Sequence, residues 1–99
     1  MEVVIRKSKK PNKKFDAIID DKKVVSFGDS NYSDMTLHKN PHRKDLYINR
    51  HRSREDWTKT GLETPGFYSR WVLWNKPSLK QSIDDLNDKY KNIKFILKQ

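Results

Sequence analysis

All three tryptophans of this 99-residue chain, Trp57, Trp71 and Trp74, fall between Asn40 and Lys76. The same stretch holds two of the three histidines, two of the three glycines and every arginine but one. The apolar fraction is 33%, so a core must be small, and eleven aromatic residues make it aromatic-rich. Any fold therefore has to assemble itself around this segment, with its indoles mostly inside and its guanidinium groups mostly on the rim. Arginine forks beside aromatic faces also suit an anionic, planar or polymeric partner.

The segments on either side of it read as strands. Glu2–Arg6 is short and β-branched, Phe15–Ile19 puts Phe15, Ala17 and Ile19 on one face, and Lys23–Phe27 puts Val25 and Phe27 on one face. Pro11-Asn12 and Asp20-Asp21 supply the turns between them. Ile93–Lys98 alternates again, with Ile93, Phe95 and Leu97 to one side, and should join the N-terminal strands. Asp29–Lys39 is turn-rich and expected to be irregular, anchored by Tyr32, Met35 and Leu37. A helix is predicted from Asn40 to about Glu55, capped by Asn40 with Pro41 at its first position. Phe67, Trp71 and Trp74 share the face of a second, short helix and are expected in the core. The third helix, Pro77–Tyr90, is the clearest: Ser78 and Gln81 form a capping box, and Leu79, Ile83, Leu86 and Tyr90 make an unbroken apolar stripe. Asp84, Asp85 and Asp88 occupy its other side and should point away from a polyanion. The expected architecture is one α+β domain over residues 1–99, a small antiparallel sheet of N-terminal hairpin strands plus a C-terminal strand, with about three helices on one face.

Charge narrows the partner. Twenty-two Lys and Arg against thirteen Asp and Glu leave a formal +9, a field that attracts nucleic acid or anionic surfaces. Six cations lie between Arg6 and Lys14 with no acid among them (Arg6, Lys7, Lys9, Lys10, Lys13 and Lys14). A hairpin tip of this kind reaches a phosphate backbone, or simply keeps an edge loop soluble. Arg43, Tyr47, Arg50 and Arg54 follow helical spacing and can track phosphates, with Lys39, Lys44, Arg52, Lys59 and Arg70 nearby in sequence. Part of the run His51–Arg54 is already explained by the preference of cations for a helix C-terminus.

Other chemistries find little support. Without cysteine there is no disulfide or thiolate metal site, which fits an intracellular rather than a secreted protein. No apolar run is long enough to span a bilayer, and the N-terminus lacks a signal-peptide pattern. His38 and His42 are separated by Pro41 at a helix start, which spoils a shared ligand face. No nucleophile elbow, glycine-rich phosphate loop or convincing carboxylate cluster for Mg²⁺ occurs, so the chain is read as a non-enzyme needing no cofactor and no small-molecule substrate.

Several blocks carry a resemblance: Tyr32-Ser-Asp, Thr36–Lys39, the run from Pro41 through His51, Arg54-Glu-Asp-Trp-Thr-Lys59, and Ser69–Leu79 with its Ser-Arg-Trp-Val-Leu-Trp core. Together, over roughly Phe15 to Ile83, the chain resembles a family of small basic proteins of nucleocytoplasmic large DNA viruses, giant and algal. The resemblance implies a viral protein that binds and compacts the genome, in the virion or in the viral factory of the host cytoplasm. The basic loop and the C-terminal strand lie outside it. Residues and resemblance thus agree on double-stranded DNA bound without base selection, since no exposed recognition turn offers Asn or Gln to base edges. A homodimer would let one face per subunit bridge two duplexes. The alternatives are a virion scaffold module that docks a protein through an exposed tryptophan, and a single-strand or RNA binder that stacks bases on Tyr47, Trp57 or Tyr68.

If the hairpin tip touches phosphate, a Lys9→Ala/Lys10→Ala variant binds every duplex more weakly. The slope of log K against log salt then falls by about 0.9 for each phosphate that is no longer neutralised, as read by fluorescence anisotropy across a salt series. An unchanged slope removes the tip from the interface.

Overall fold

In the computed structural model, which describes residues 1–98, strands β1 (Glu2–Lys7), β2 (Lys13–Ile19) and β3 (Lys23–Asp29) form a meander. Helices α1 (Met35–His38), α2 (Pro41–His51), α3 (Pro65–Tyr68) and α4 (Leu79–Lys89) follow, and β4 (Lys94–Leu97) closes the sheet in the order β3-β2-β1-β4. A 3₁₀ turn at Lys59–Gly61 precedes α3, and a π-helical segment, Ser69–Leu73, continues it.

Both turns fall where the sequence puts them, but the second is one residue longer than a two-residue Asp20-Asp21 turn: Ile19 pairs with Lys23, and the Lys22 N–H closes on the Ile19 carbonyl at 3.0 Å. Pro11 and Asn12 sit between Lys10 and Lys13, closed by the Lys13 N–H on the Lys10 carbonyl at 3.2 Å. Asp20 and Asp21 both take left-handed backbone angles (φ 50° and 58°), the twist that fits a tight antiparallel hairpin. Asp is among the few residues to tolerate that region, and Asp20 recovers energy by accepting the Glu2 N–H at 2.8 Å.

The α+β architecture is as expected, but the sheet is mixed. β4 runs parallel to β1, with Val3 opposite Phe95 and Ile5 opposite Leu97. A strand entered through a tight turn must reverse, whereas one reached through a long helical crossover is free to lie parallel. The helical segment between β3 and β4 is that crossover, and it delivers β4 to the far edge of β1.

One face of the sheet makes the core. Val3, Ile5, Ala17, Ile19, Val25, Phe27 and Phe95 are buried against Phe67, Tyr68, Val72, Leu73, Ile83 and Leu86. Tyr68 lies at the centre, 5.5 Å from the Phe27 ring and edge-on to Phe67. The α4 stripe is as read, with Ile83 and Leu86 buried and Leu79 and Tyr90 at the margin; of the capping box, Ser78 Oγ accepts the Gln81 N–H, while Gln81 Oε1 accepts the Ser78 hydroxyl in place of its backbone N–H.

Three expectations change. Trp71 and Trp74 only flank the core, and Tyr68, Val72 and Leu73 take its centre beside Phe67. The cause is the π-helical turn, in which the Trp74 N–H reaches back five residues to Ser69 and rotates the buried face away from α-helical spacing. The segment Asp29–Lys39 is not wholly irregular, because Asp34 caps the single turn of α1 through the Thr36 N–H. Met35 is buried there, but Tyr32 and Leu37 are exposed (72% and 64%) and anchor nothing. Finally, α2 stops at His51 instead of about Glu55.

Gly61 makes a close approach without strain. A Cβ there would lie 2.0 Å from the backbone carbonyl oxygen of Asp56, an atom that cannot swing aside. Gly61→Ala should cost on the order of 1–3 kcal/mol, as for other forced overpacking. Thermal melts check this: Tm falls by roughly 4–8 °C per kcal/mol for a domain of this size, while Thr60→Ala, at an exposed neighbour, leaves it unmoved.

Candidate nucleic-acid interface

The geometry of α2 follows from its ends and one aromatic column. Asn40 caps it, its Oδ1 accepting the His42 N–H at 2.9 Å and the Arg43 N–H at 3.4 Å, and Pro41 fills the first position. No residue of α2 is buried. What holds it is Tyr47, stacked on Trp74 at 4.5 Å with the rings 3° from parallel. His51 packs on the Tyr47 ring at 4.3 Å, and Trp57 stacks at 6.3 Å. His38 leans on Trp74 from α1 at 5.3 Å. Burial and then the Glu55 carboxylate push the Tyr47 hydroxyl up to about 12, so it stays a neutral phenol.

Arg70 completes the column. Its guanidinium lies 4.3 Å from the Trp71 ring centre and 5.6 Å from that of Trp57, and it donates to the Trp74 carbonyl at 3.0 Å. The Trp71 indole N–H donates to the Trp57 carbonyl at 2.8 Å, and the Lys89 ammonium sits 4.5 Å from the Trp71 centre. Arg70 is thus an internal strut, worth more as a cation–π partner than as a phosphate ligand.

Between α2 and the end of the β2–β3 hairpin lies a cleft of about 580 Å³. Arg43, Leu46, Tyr47 and Arg50 form one wall, and Lys13 and Lys14 of β2 stand in the other. Leu73 and Trp74 also line it, as do the carboxylates Asp29, Asp34 and Glu55. The cleft joins the two basic stretches that the sequence offers separately.

The other sequence-derived candidates divide sharply. Lys14 is paired with the buried Asp34 and is mostly buried itself, so its charge is spent on holding α1. Arg6 points to the face of β1 opposite the core and lies 3.9 Å from Asp16, which also accepts the Ser26 hydroxyl. Lys39 bonds the carbonyls of Pro77 (2.9 Å) and Thr36 (3.3 Å), tying the α1–α2 corner to the start of α4. Lys44 is half-buried, and burial followed by the neighbouring Arg70 lowers its pKa. Arg54 leaves the expected helical row because α2 has ended, and its guanidinium rests 3.3 Å from His51 Nδ1. By contrast, Lys7, Lys9, Lys10, Arg43, Arg50, Arg52 and Lys59 are exposed, and Lys13 half-exposed, with no ion pair among the described residues.

Sequence reading did not place Lys13 and Arg43 on one cleft, and it missed the cleft residues Tyr32, Leu46, Asp29 and Glu55. Tyr32 and Leu46 are large apolar side chains left exposed, a signal that needs three dimensions. Among the described residues, no cluster of three His, Asp or Glu could hold a metal, and no helix is long and apolar enough to cross a membrane.

Residues 3–51 match the model of a family of unknown function (DUF5754). That span runs from β1 to the end of α2 and includes both basic walls of the cleft. No curated protein and no solved structure matches the chain.

Two histidines make the α2 region sensitive to acid. His38 Nδ1 accepts the backbone N–H of Asn40, the residue that caps α2, at 2.9 Å. The ring is therefore neutral with its proton on Nε2, and burial followed by Arg43 keeps its pKa below 6.5. His51 is lowered in the same way by burial and then Arg54. Folded pKa values below the unfolded one mean that the unfolded chain takes protons first. Stability is then intact above about pH 6.5 and declines as the pH drops below it. Thermal melts at about pH 7.5 and about pH 5.5 should give a lower Tm in acid, and a His38→Gln/His51→Gln variant should narrow that difference.

Proposed function

We propose that this protein binds double-stranded DNA through its phosphates without selecting sequence, and that it compacts a viral genome by doing so. The observation that carries the reading is the shared cleft: Lys13 from the hairpin and Arg43 and Arg50 from α2 line one opening. The exposed, unpaired Lys7, Lys9 and Lys10 extend the basic hairpin, and Arg52 follows Arg50 at the end of α2. Dispersed cations of this kind supply the salt-dependent, sequence-independent part of DNA binding. The viral setting and the compaction role rest on the resemblance of the Arg54–Lys59 and Ser69–Leu79 blocks. Arg6, Lys14, Lys39 and Arg70 drop out of the proposed phosphate-binding set, because each has an internal partner.

Base stacking on a single strand has less support. Tyr47, Trp57, Trp71 and Trp74 spend ring faces on one another or on Arg70, and Tyr68 is fully buried. A scaffold module keeps one supporting observation. On the sheet face away from the core, Val24, Ile18, Val4 and Ile96 lie opposite one another across all four strands, outside the core cluster, and Val24 is 52% exposed. A second copy or another virion protein docked there would leave the cleft, on the helix side, open to DNA.

Unrelated duplexes of equal length should bind alike, with a steep loss as salt rises and condensed particles at high protein ratio. Arg43→Ala/Arg50→Ala should weaken all of them and lower the salt slope by about 0.9 per phosphate left without its cation, with Tm unaffected because both side chains are exposed. A marked preference for one duplex, or binding that disappears at physiological salt, contradicts the reading.

A further inference from the structure

A whole duplex cannot enter a cleft of about 580 Å³; its backbone could only ride the rim. The volume is that of a small-ligand pocket, and its lining has three chemical parts. Leu46, Tyr47, Leu73 and Trp74 give an apolar lining, with Tyr32, 72% exposed, as an additional aromatic face. Arg43, Arg50 and Lys13 give cationic donors without a carboxylate partner among the described residues. Glu55 gives an acceptor, and so does Asp29 through the carboxylate oxygen not taken by the Asn31 N–H (2.9 Å), Asp34 being taken by Lys14.

The carboxylates decide the ligand class. Beside a phosphate backbone alone they would only repel. Beside a ligand that carries an anion together with N–H and O–H groups, they accept hydrogen bonds, while the arginine forks hold the anion. A fatty acid or inorganic phosphate would leave them unused. A planar, apolar-faced ring bearing amino and hydroxyl donors and a phosphate satisfies all three parts, because every base has a face that stacks on an aromatic ring.

We infer that the cleft between α2 and the β2–β3 hairpin binds one nucleoside monophosphate unit, its phosphate on Arg43, Arg50 and Lys13 and its nucleoside against Tyr32 and Leu46. This deepens the DNA-binding reading and rests on it, since Arg43 and Arg50 serve both. The unit is either a free nucleotide or one unpaired nucleotide of a strand, and the chemistry of recognition is common to the two.

Calorimetric titration of the wild-type chain with deoxyadenosine monophosphate, deoxyadenosine and inorganic phosphate tests it. The monophosphate should bind saturably at one site, at least about tenfold more tightly than either fragment, since two parts of the cleft then act together. Tyr32→Ala should weaken the monophosphate about tenfold and leave the salt slope for a fully paired duplex unchanged. A paired duplex and one with a single overhanging nucleotide separate the sources: tighter binding of the overhang assigns the cleft to strand ends, and equal binding assigns it to free nucleotide. If the monophosphate binds no better than phosphate, or does not saturate, the cleft assignment is overturned while duplex binding stands. If duplex binding fails and the monophosphate still binds, the DNA reading is lost and the cleft assignment survives.

Discussion

The stack of Tyr47 on Trp74 ties α2 to the rest of the structure. An eleven-residue helix is marginal in water on its own, and α2 has no buried residue with which to dock. A parallel ring pair adds roughly 0.5–1.5 kcal/mol beyond its buried area. It gains further from its neighbours: His38 on Trp74, His51 and Trp57 on Tyr47, and Arg70 between Trp57 and Trp71. The column runs from α1 to α4 and ties to the core a helix that would otherwise leave it. Where α2 stands, Arg43 and Arg50 stand, and so does the cleft.

So basic a chain stays folded in part because several of its cations have internal partners. Uncompensated positive charge works against a compact state. The structure spends several cations internally, on Asp34 for Lys14, Asp16 for Arg6, carbonyls for Lys39 and indoles for Arg70. Most of the remainder are exposed, where water screens their repulsion and a polyanion could relieve it. A count of Lys and Arg therefore overstates the charge available to a partner.

Much of the fold was legible because short-range rules govern it. Pro11-Asn12 and Asp20-Asp21 made turns, Asn40 and Ser78 made caps, and the Leu79–Leu86 stripe found the core, each through interactions within a few residues. The misreadings have equally local causes that single-residue patterns do not carry. A π-helical turn moved Trp71 and Trp74 to the margin, and α2 unwound before Arg54. Tyr32 and Leu37 have the composition of anchors, but no packing surface reaches them. The cleft was half legible: its two basic walls stood out as charge runs, whereas its apolar and acidic linings came from five separate segments.

The sequence by itself determined the strands, the two main helices, the places of the hairpin turns and the sign of the surface, because turn chemistry, side-chain periodicity and formal charge are properties of neighbouring residues. Only the tertiary structure decided that β4 runs parallel to β1, which cations are free, and that Lys13 and Arg43 face one opening. Those outcomes depend on interactions between residues far apart in the chain, and the energy of such interactions is set by where the core puts them.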